Sequence, residues 1–147
     1  MEREIALTGI RDQDLIILSH LDDETLLNFC IVNKDANQLC YNESFWFNRF
    51  INKYGSLYKS YKSEDRTWRD FYLKIVYYNN KYHNDDSEKI IQEVARGGMK
   101  NRDLINFFIA YFGTNWRQVS PYGRKGALEG GHTDLAELFQ RRVRYST

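Results

Sequence analysis

The sequence predicts an all-α fold. Apolar residues recur at helical spacing along nearly the whole chain, as they do from Trp68 through Phe71, Ile75 and Val76. Strand signals are weak, because the chain has no Asn-Gly or Asp-Gly pair and no alternating stretch longer than four residues. The chain has 147 residues, of which 42% are hydrophobic and 16% aromatic. This composition is typical of a folded domain with a core and not of a disordered segment.

An acidic turn separates the first two predicted helices. Two apolar runs, at residues 15–21 and 26–32, flank the sequence Asp22-Asp23-Glu24. Carboxylates at the start of a helix accept backbone N–H bonds and favour the positive end of the helix dipole. The turn therefore predicts a helix cap, with the second helix beginning at about Glu24.

Further helices are expected where a capping residue precedes an apolar run. The polar, turn-rich residues 79–86 separate a predicted N-terminal domain, residues 1–80, from a C-terminal domain, residues 87–147. The expected helices are 34–40 after Asn33, 45–54 between the cap Ser44 and Gly55, a long helix from Ser63 through Val76, one capped by Ser87, then 103–112, 121–129 with Pro121 in the first position after Ser120, and 133–142.

Charge is divided unevenly along the chain. Residues 1–47 hold nine acids and three bases, whereas residues 48–147 hold eleven acids and eighteen bases. This asymmetry suggests two surfaces with different roles. The middle of the chain interleaves bases with tyrosines, which is compatible with nucleic-acid binding, but the helical spacing of its rings favours core packing and makes nucleic acid an unfavoured partner. This basic-aromatic middle comprises Lys53, Lys59, Lys62, Arg66, Arg69, Lys74 and Lys81 with Tyr58, Tyr61, Tyr72, Tyr77 and Tyr78.

No catalytic, cofactor-binding or metal-binding pattern is present, so we expect a protein that is not an enzyme and needs no cofactor. His20, His83 and His132 lack metal-ligand spacing, and no phosphate-binding glycine loop occurs. Cys30 and Cys40 are expected to be buried, reduced thiols of an intracellular protein, cytoplasmic or nuclear. The chain begins without a signal-peptide pattern and has no apolar run of 18 residues, which predicts no membrane association.

The C-terminal domain contains an internal repeat. The segments EVARGGMKNRDLINFF and GALEGGHTDLAELF share a Gly-Gly pair, a polar link and an Asp-Leu start to the next apolar run. Gly97 and Gly130 are expected to end the inner helix of each copy with positive φ, and Asp103 and Asp134 to begin the outer helix. His132 is interpreted as a turn residue and not as a ligand.

This repeat resembles the degenerate ankyrin repeats of large DNA viruses of protists, over residues 88–142. The matching residues are Gly113, Asn115, Trp116, Gly126, Ala127, Gly130, Gly131, His132, Asp134, Leu135 and Phe139. The resemblance implies a surface that recruits a protein, for which the candidate contacts are Trp116, Arg117, Tyr122 and Arg124, in a loop before the inner helix. Trp116 is equally interpretable as a packing residue.

The N-terminal segment, residues 10–50, resembles an F-box. The order of the pattern is an apolar helix ending in leucine, an acidic turn, a second apolar helix, Val-x-Lys and a later tryptophan. The matching positions, with Ile10 where the family opens with Leu-Pro, are Leu15, Ile16, Leu18, Leu21, Asp22, Leu26, Leu27, Val32, Lys34 and Trp46. Ile10-Arg11 in place of Leu-Pro is a departure in a part of the F-box that contacts the adaptor.

The resemblance implies that these residues bind a Skp-family adaptor of a cullin ubiquitin ligase, with the repeats recruiting an unknown protein substrate. The acidic turn would stay solvated at the rim of that interface and steer the approach. Two alternatives remain open. In the first, the leucines of the first helices pack only in the core, against the helix from Trp68 to Tyr78, and the chain is a structural or scaffold protein, self-associating or part of a virion. In the second, weaker alternative, the basic-aromatic middle binds nucleic acid.

Overall fold

The computed structural model describes residues 7–82 and 86–145 and is all-α, as predicted. Within these residues no β strand occurs, and short 3-10 segments cover Ser56–Tyr61 and Met99–Asn101. The helices are α1 (Arg11–Ser19), α2 (Asp23–Val32), α3 (Lys34–Leu39), α4 (Glu43–Tyr54), α5 (Trp68–Tyr82), α6 (Ser87–Ala95), α7 (Arg102–Tyr111), α8 (Trp116–Glu129) and α9 (Thr133–Tyr145).

The chain divides into two compact units, Met1–Lys53 and Tyr54–Thr147. The division falls near the end of α4 and not at residues 79–86, where the sequence places the break. The difference arises because α5 packs on α6 and the first 3-10 segment packs on α7, so these elements join the second unit. Residues 79–82 continue α5, and the part of the expected break at residues 83–85, including His83, lies outside the described residues.

The acidic turn caps α2, as predicted. The Oδ1 atom of Asp22 accepts a hydrogen bond from the backbone N–H of Thr25 at 2.7 Å, and α2 begins at Asp23. Asn33 caps α3 in the same way through the N–H of Ala36 at 2.9 Å. Both caps use short side chains that reach back to orphan N–H groups of the first turn.

Four other helices begin at a residue that the sequence analysis did not select. Several cap-competent residues lie near each start, and in the structure the side chain of the residue used accepts the N–H three residues later. The observed caps are Asn42 in place of Ser44, Thr67 in place of Ser63, Asp86 in place of Ser87, and Asn115. Because α8 begins at Trp116, Pro121 lies inside that helix and not at its first position.

The first unit is held by buried side chains from each of its four helices. Leu18, Leu26, Ala36, Trp46 and Phe50 are fully buried. The indole N–H of Trp46 donates to the carbonyl of Cys40 at 2.8 Å, which fixes the ring beside the end of α3. This bond satisfies the polar group of a buried tryptophan.

Cys30 and Cys40 form a disulfide, contrary to the expectation of reduced thiols. Their Cα atoms lie 6.1 Å apart, and both residues are almost fully buried. Spacing in the sequence could not reveal the pairing, because it depends on the turn between α2 and α3 bringing the two helix ends together. The bond closes a loop across ten positions.

The second unit contains two helical hairpins, α6–α7 and α8–α9, with α8 packed against both α6 and α9. Two glycines make this approach possible: a Cβ at Gly126 would overlap the carbonyl oxygen of Gln92 in α6, and one at Gly123 would overlap the ring of Phe139 in α9. The small residues of α8 therefore face its two neighbours.

Both hairpins turn at the second glycine of the Gly-Gly pair. Gly98 and Gly131 have φ of 84° and 79°, so the prediction that Gly97 and Gly130 adopt positive φ is wrong. The first glycine is needed for space: a Cβ at Gly97 would overlap the Asn101 side chain, and one at Gly130 the Arg96 carbonyl. The two turns share this positive φ, but the first continues into the 3-10 segment Met99–Asn101 before its outer helix and the second does not.

Candidate functional site

The segment before α1 is fixed by a buried carboxylate. Asp14 is 3% exposed and accepts hydrogen bonds from the N–H and hydroxyl of Thr8, both at 2.7 Å, and from the N–H of Gly9 at 3.0 Å. Burial alone would raise the pKa of Asp14, but these hydrogen bonds hold it below its usual range. Ile10 follows this anchor and is 55% exposed. The sequence analysis did not identify Asp14, whose partners lie in an irregular segment.

The acidic turn caps α2 and also binds cationic side chains of α4. The guanidinium of Arg49 binds Asp23 through Nε at 3.0 Å and Nη2 at 2.8 Å, and Nη2 also donates to the Leu21 carbonyl at 2.6 Å. Lys53 adds an ion pair to Asp23 at 2.9 Å. The expectation of a fully solvated acidic turn is therefore wrong for Asp23, whereas Asp22 is exposed. The N–H of Thr25 lowers the pKa of Asp22.

The predicted partner-binding residues differ widely in exposure. Leu18, Leu26 and Trp46 are fully buried, so we correct their assignment: they are core residues of the chain, since each occupies the inward row of its helix. The half-buried members are Leu15, Leu21 and Leu27, and the exposed members are Ile10, Ile16, Asp22, Val32 and Lys34.

Two exposed apolar residues of the first unit were not predicted. Ile31 is 77% exposed beside Val32 at 79%, and Tyr41 is 67% exposed. The signal for Ile31 lies in the run Phe29 to Val32, because four successive apolar residues cannot all face one side of a helix. Ile16 of α1 is exposed as well. Several exposed apolar side chains within one small unit are typical of a protein-binding region.

The predicted recruiting residues lie within α8 and not in a loop before it. Trp116 is half-buried: its ring lies 5.0 Å from that of Phe139, and the guanidinium carbon of Arg142 lies 5.1 Å from its centre. It is therefore a packing residue, which was the alternative interpretation. Arg117 and Arg124 are exposed, and Tyr122 is 38% exposed.

Most rings of the basic-aromatic middle are occupied by packing. Tyr58 stacks on Tyr61 and meets Phe107 edge-on at 5.5 Å. Lys62 lies 5.2 Å from the ring centre of Trp68. Tyr77 remains 54% exposed, and its hydroxyl accepts a hydrogen bond from Lys81, which raises the pKa of that lysine.

A polar cleft of about 740 Å³ lies in the second unit, between the start of α5 and the α6–α7 turn. Its central side chain, Arg66, is 9% exposed and binds Asp103 through Nε at 2.8 Å. The same guanidinium also contacts Asp70, Asn101 and the carbonyl of Lys100. Asp103 lies in the first turn of α7, one residue after the helix begins, and also accepts the N–H of Leu104. The internal pairing of these charges indicates a structural network.

The described residues contain no group of three histidine, cysteine, aspartate or glutamate side chains placed to hold a metal ion. None of the helices in the described ranges is long and apolar enough to cross a membrane.

Comparison with known proteins bears on the first unit. No curated protein and no solved structure matches the chain. The match that does occur covers the end of α1, the acidic turn, α2, α3 and the start of α4, and so includes most of the exposed apolar surface described above. Residues 15–48 match the family model of the F-box domain, a protein–protein interaction module.

Proposed function

We propose that the first unit docks on a Skp-family adaptor of a cullin ubiquitin ligase and that the second unit recruits a protein for ubiquitination. The observation that carries the proposal is the coincidence of the F-box match at residues 15–48 with exposed Ile16, Ile31 and Val32 in the same segment. Apolar side chains that are this exposed stabilise neither helix, and they gain free energy when a partner covers them.

The departure at the front of the F-box is compensated locally. Where the family opens with Leu-Pro, the chain has Ile10-Arg11. Hydrogen bonds from Thr8 and Gly9 to Asp14 order this segment and present Ile10 beside the first turn of α1. An ordered, apolar entry to α1 supports adaptor docking, because less conformational entropy is lost on binding.

The repeat part of the proposal follows from its resemblance to viral ankyrin proteins, which implies that the ligase would belong to a host cell. The two similar turns at Gly98 and Gly131 support a repeated helix–turn–helix unit. An intracellular ligase adaptor works in a reducing compartment, where the Cys30–Cys40 bond would open. Binding should therefore be measured with and without reductant.

The test is calorimetry of the purified chain with a purified Skp-family adaptor, with co-elution on size exclusion. We expect one-to-one binding with a Kd below about 1 µM. The variant Ile16→Glu/Val32→Glu should weaken binding by at least about tenfold, because it places charges in an apolar interface. Both positions are exposed, so the helical circular dichroism spectrum should be retained.

The matched control is Leu57→Glu, since Leu57 is an 84% exposed leucine of the second unit. It should bind the adaptor as the unaltered chain does. Equal loss in the control and the F-box variant would show that the effect is not specific to this surface. No binding by the unaltered chain at tens of micromolar, in either redox state, would refute the ligase role and favour the scaffold alternative.

A further inference from the structure

One face of α8 carries cations that pair with no acidic side chain in the part of the chain that the structure describes. The cationic stripe consists of Arg117, Pro121, Arg124, Lys125 and Leu128, all exposed. Successive members other than Lys125 are three or four residues apart, so they follow one side of the helix. The opposite side is buried and comprises Val119, Ser120, Gly123, Gly126 and Ala127. With a rise of about 1.5 Å per residue, Arg117 and Arg124 lie roughly 10 Å apart along the axis.

Several cations of the second unit are neutralised by carboxylates of the same chain. Lys74, Lys89 and Arg96 each have a carboxylate partner within 4 Å. Within the described part of the chain, the three cations of the stripe form no ion pair. Glu129, the acid of α8, is held by Gln92 at 2.9 Å and Arg96 at 3.6 Å on the side facing α6. The stripe therefore presents three charges that no carboxylate of residues 7–82 and 86–145 neutralises.

The chemistry of the stripe favours an acidic protein segment over nucleic acid. Arginine forms two parallel hydrogen bonds with a carboxylate, and arginine is enriched among residues that dominate binding energy. Pro121 and Leu128, which is 49% exposed, lie between and beside the cations and offer apolar contacts. Single-stranded nucleic acids are usually held by aromatic platforms. Of the two aromatic residues of α8, Trp116 packs on Phe139 and Tyr122 projects from another side of the helix.

We infer that the cationic stripe of α8 binds an acidic segment of the recruited protein, with an apolar residue between its carboxylates. This inference rests on the proposed recruiting role of the second unit and specifies its substrate class. The stripe follows the helix surface over about three turns, from Arg117 to Leu128, or roughly 16 Å along the axis. A short acidic segment, extended or helical, is long enough to cover it.

The test is fluorescence anisotropy with a labelled 12-residue peptide of glutamate and aspartate containing two leucines. Arg117→Glu/Arg124→Glu should bind this peptide at least about tenfold more weakly than the unaltered chain, because charge reversal repels the carboxylates. The matched control is Lys59→Glu/Lys100→Glu, which makes the same change in net charge at two exposed positions of the same unit. It should change the affinity less than about twofold, since it affects only long-range attraction.

Three outcomes would overturn the inference. Equal weakening by the control would show non-specific attraction, and tighter binding of a 12-nucleotide single strand than of the peptide would indicate a nucleic-acid surface. A dimer on size exclusion that only the stripe variant dissociates would identify a second copy as the occupant. Adaptor binding, measured on the same proteins, should be unchanged by both variants. Its absence with peptide binding intact would refute the F-box role alone.

Discussion

Arg66 joins four groups of the second unit through one guanidinium. Its side chain and that of Asp103 are 9% and 5% exposed, so the pair is buried, and the guanidinium also binds Asp70 and a backbone carbonyl. Burial acts to lower the pKa of Arg66, but Asp103 and Asp70 raise it, which keeps the charge in place. Removing one partner of such a network leaves the other charge without compensation.

We therefore predict that Arg66→Met lowers the free energy of unfolding by about 3–5 kcal/mol in urea titrations. The control is Lys74→Met, which removes the exposed ion pair with Asp70 at 3.0 Å. That change should cost less than about 1 kcal/mol, since exposed pairs of this spacing contribute little. Similar losses in the two variants would show that the network around Arg66 does not stabilise the unit.

Two glycines of the second unit are needed for different reasons, Gly126 for space and Gly131 for its backbone conformation. Replacing each by alanine gives a second test at single residues. Gly126 has no room for a Cβ beside the Gln92 carbonyl, whereas Gly131 has open space and a φ of 79°. Gly126→Ala must move α8 away from α6 and should cost about 3 kcal/mol or more. Gly131→Ala causes no steric overlap but places an alanine in the left-handed backbone region, so it should lower the free energy of unfolding by only about 1–2 kcal/mol.

Thermal and urea unfolding of both glycine variants, with helical content checked beforehand, measure this difference. The reverse order of cost would mean that the close approach of α6 and α8 is not needed for stability. The sequence marked both Gly-Gly pairs as turns but assigned positive φ to the wrong member. Which glycine turns the chain depends on the neighbouring hairpin, and periodicity within one segment does not contain that information.

At the scale of helices, the apolar period predicts where helices exist better than where they begin. The caps at Asp22 and Asn33 were predictable because each is the first cap-competent residue after an apolar run. Before α5, Ser63 and Thr67 both qualify, and the N–H of Asp70 selects Thr67 at 3.0 Å. The disulfide between α2 and α3 was missed because it depends on how two helices meet.

The disulfide predicts a redox-dependent stability of the first unit. Closing a loop of ten positions restricts the unfolded chain, and reduction should lower the free energy of unfolding by about 2–3 kcal/mol. Urea unfolding with and without reductant measures this change. The variant Cys30→Ala/Cys40→Ala should give the same midpoint in both conditions. If the unaltered chain has the same urea midpoint with and without reductant, the two sulfurs are not bonded in solution.

At the scale of the whole chain, the F-box segment was predictable because an ordered set of residues specified it. The surface that it presents was only partly predictable: Ile16 and Val32 are exposed, whereas Leu18, Leu26 and Trp46 are core. A single helix pattern reports which residues are apolar, but whether a residue faces a core or a partner depends on the elements packed around it. The same limit explains why the unit boundary falls at α4 and not at residues 79–86.

Acid sensitivity is a property of both units. Burial acts to raise the pKa of Asp14 in the first unit, and of Asp70 and Glu93 in the second, yet the pKa of each is lowered. Hydrogen bonds from Thr8 and Gly9 lower the pKa of Asp14, whereas neighbouring lysine and arginine side chains lower the pKa of Asp70 and Glu93. For carboxyl groups with lowered folded-state pKa, the stabilisation is complete above the unfolded-state pKa of about 4. It is lost as the pH falls through the folded-state value, where the native carboxylate takes up its proton.

We therefore expect the free energy of unfolding to change little between about pH 7 and pH 5 and to fall steadily below about pH 4. Urea titrations at each pH measure it. Asp14→Asn should make the fall shallower, because it removes one carboxylate held by Thr8 and Gly9. Asp12→Asn, an exposed position of the same helix, is the matched control, because it removes one carboxylate and keeps the hydrogen bonds to Asp14. A stability that stays constant down to about pH 3 would contradict the lowered pKa values, since the unfolded chain would then gain no protons relative to the native one.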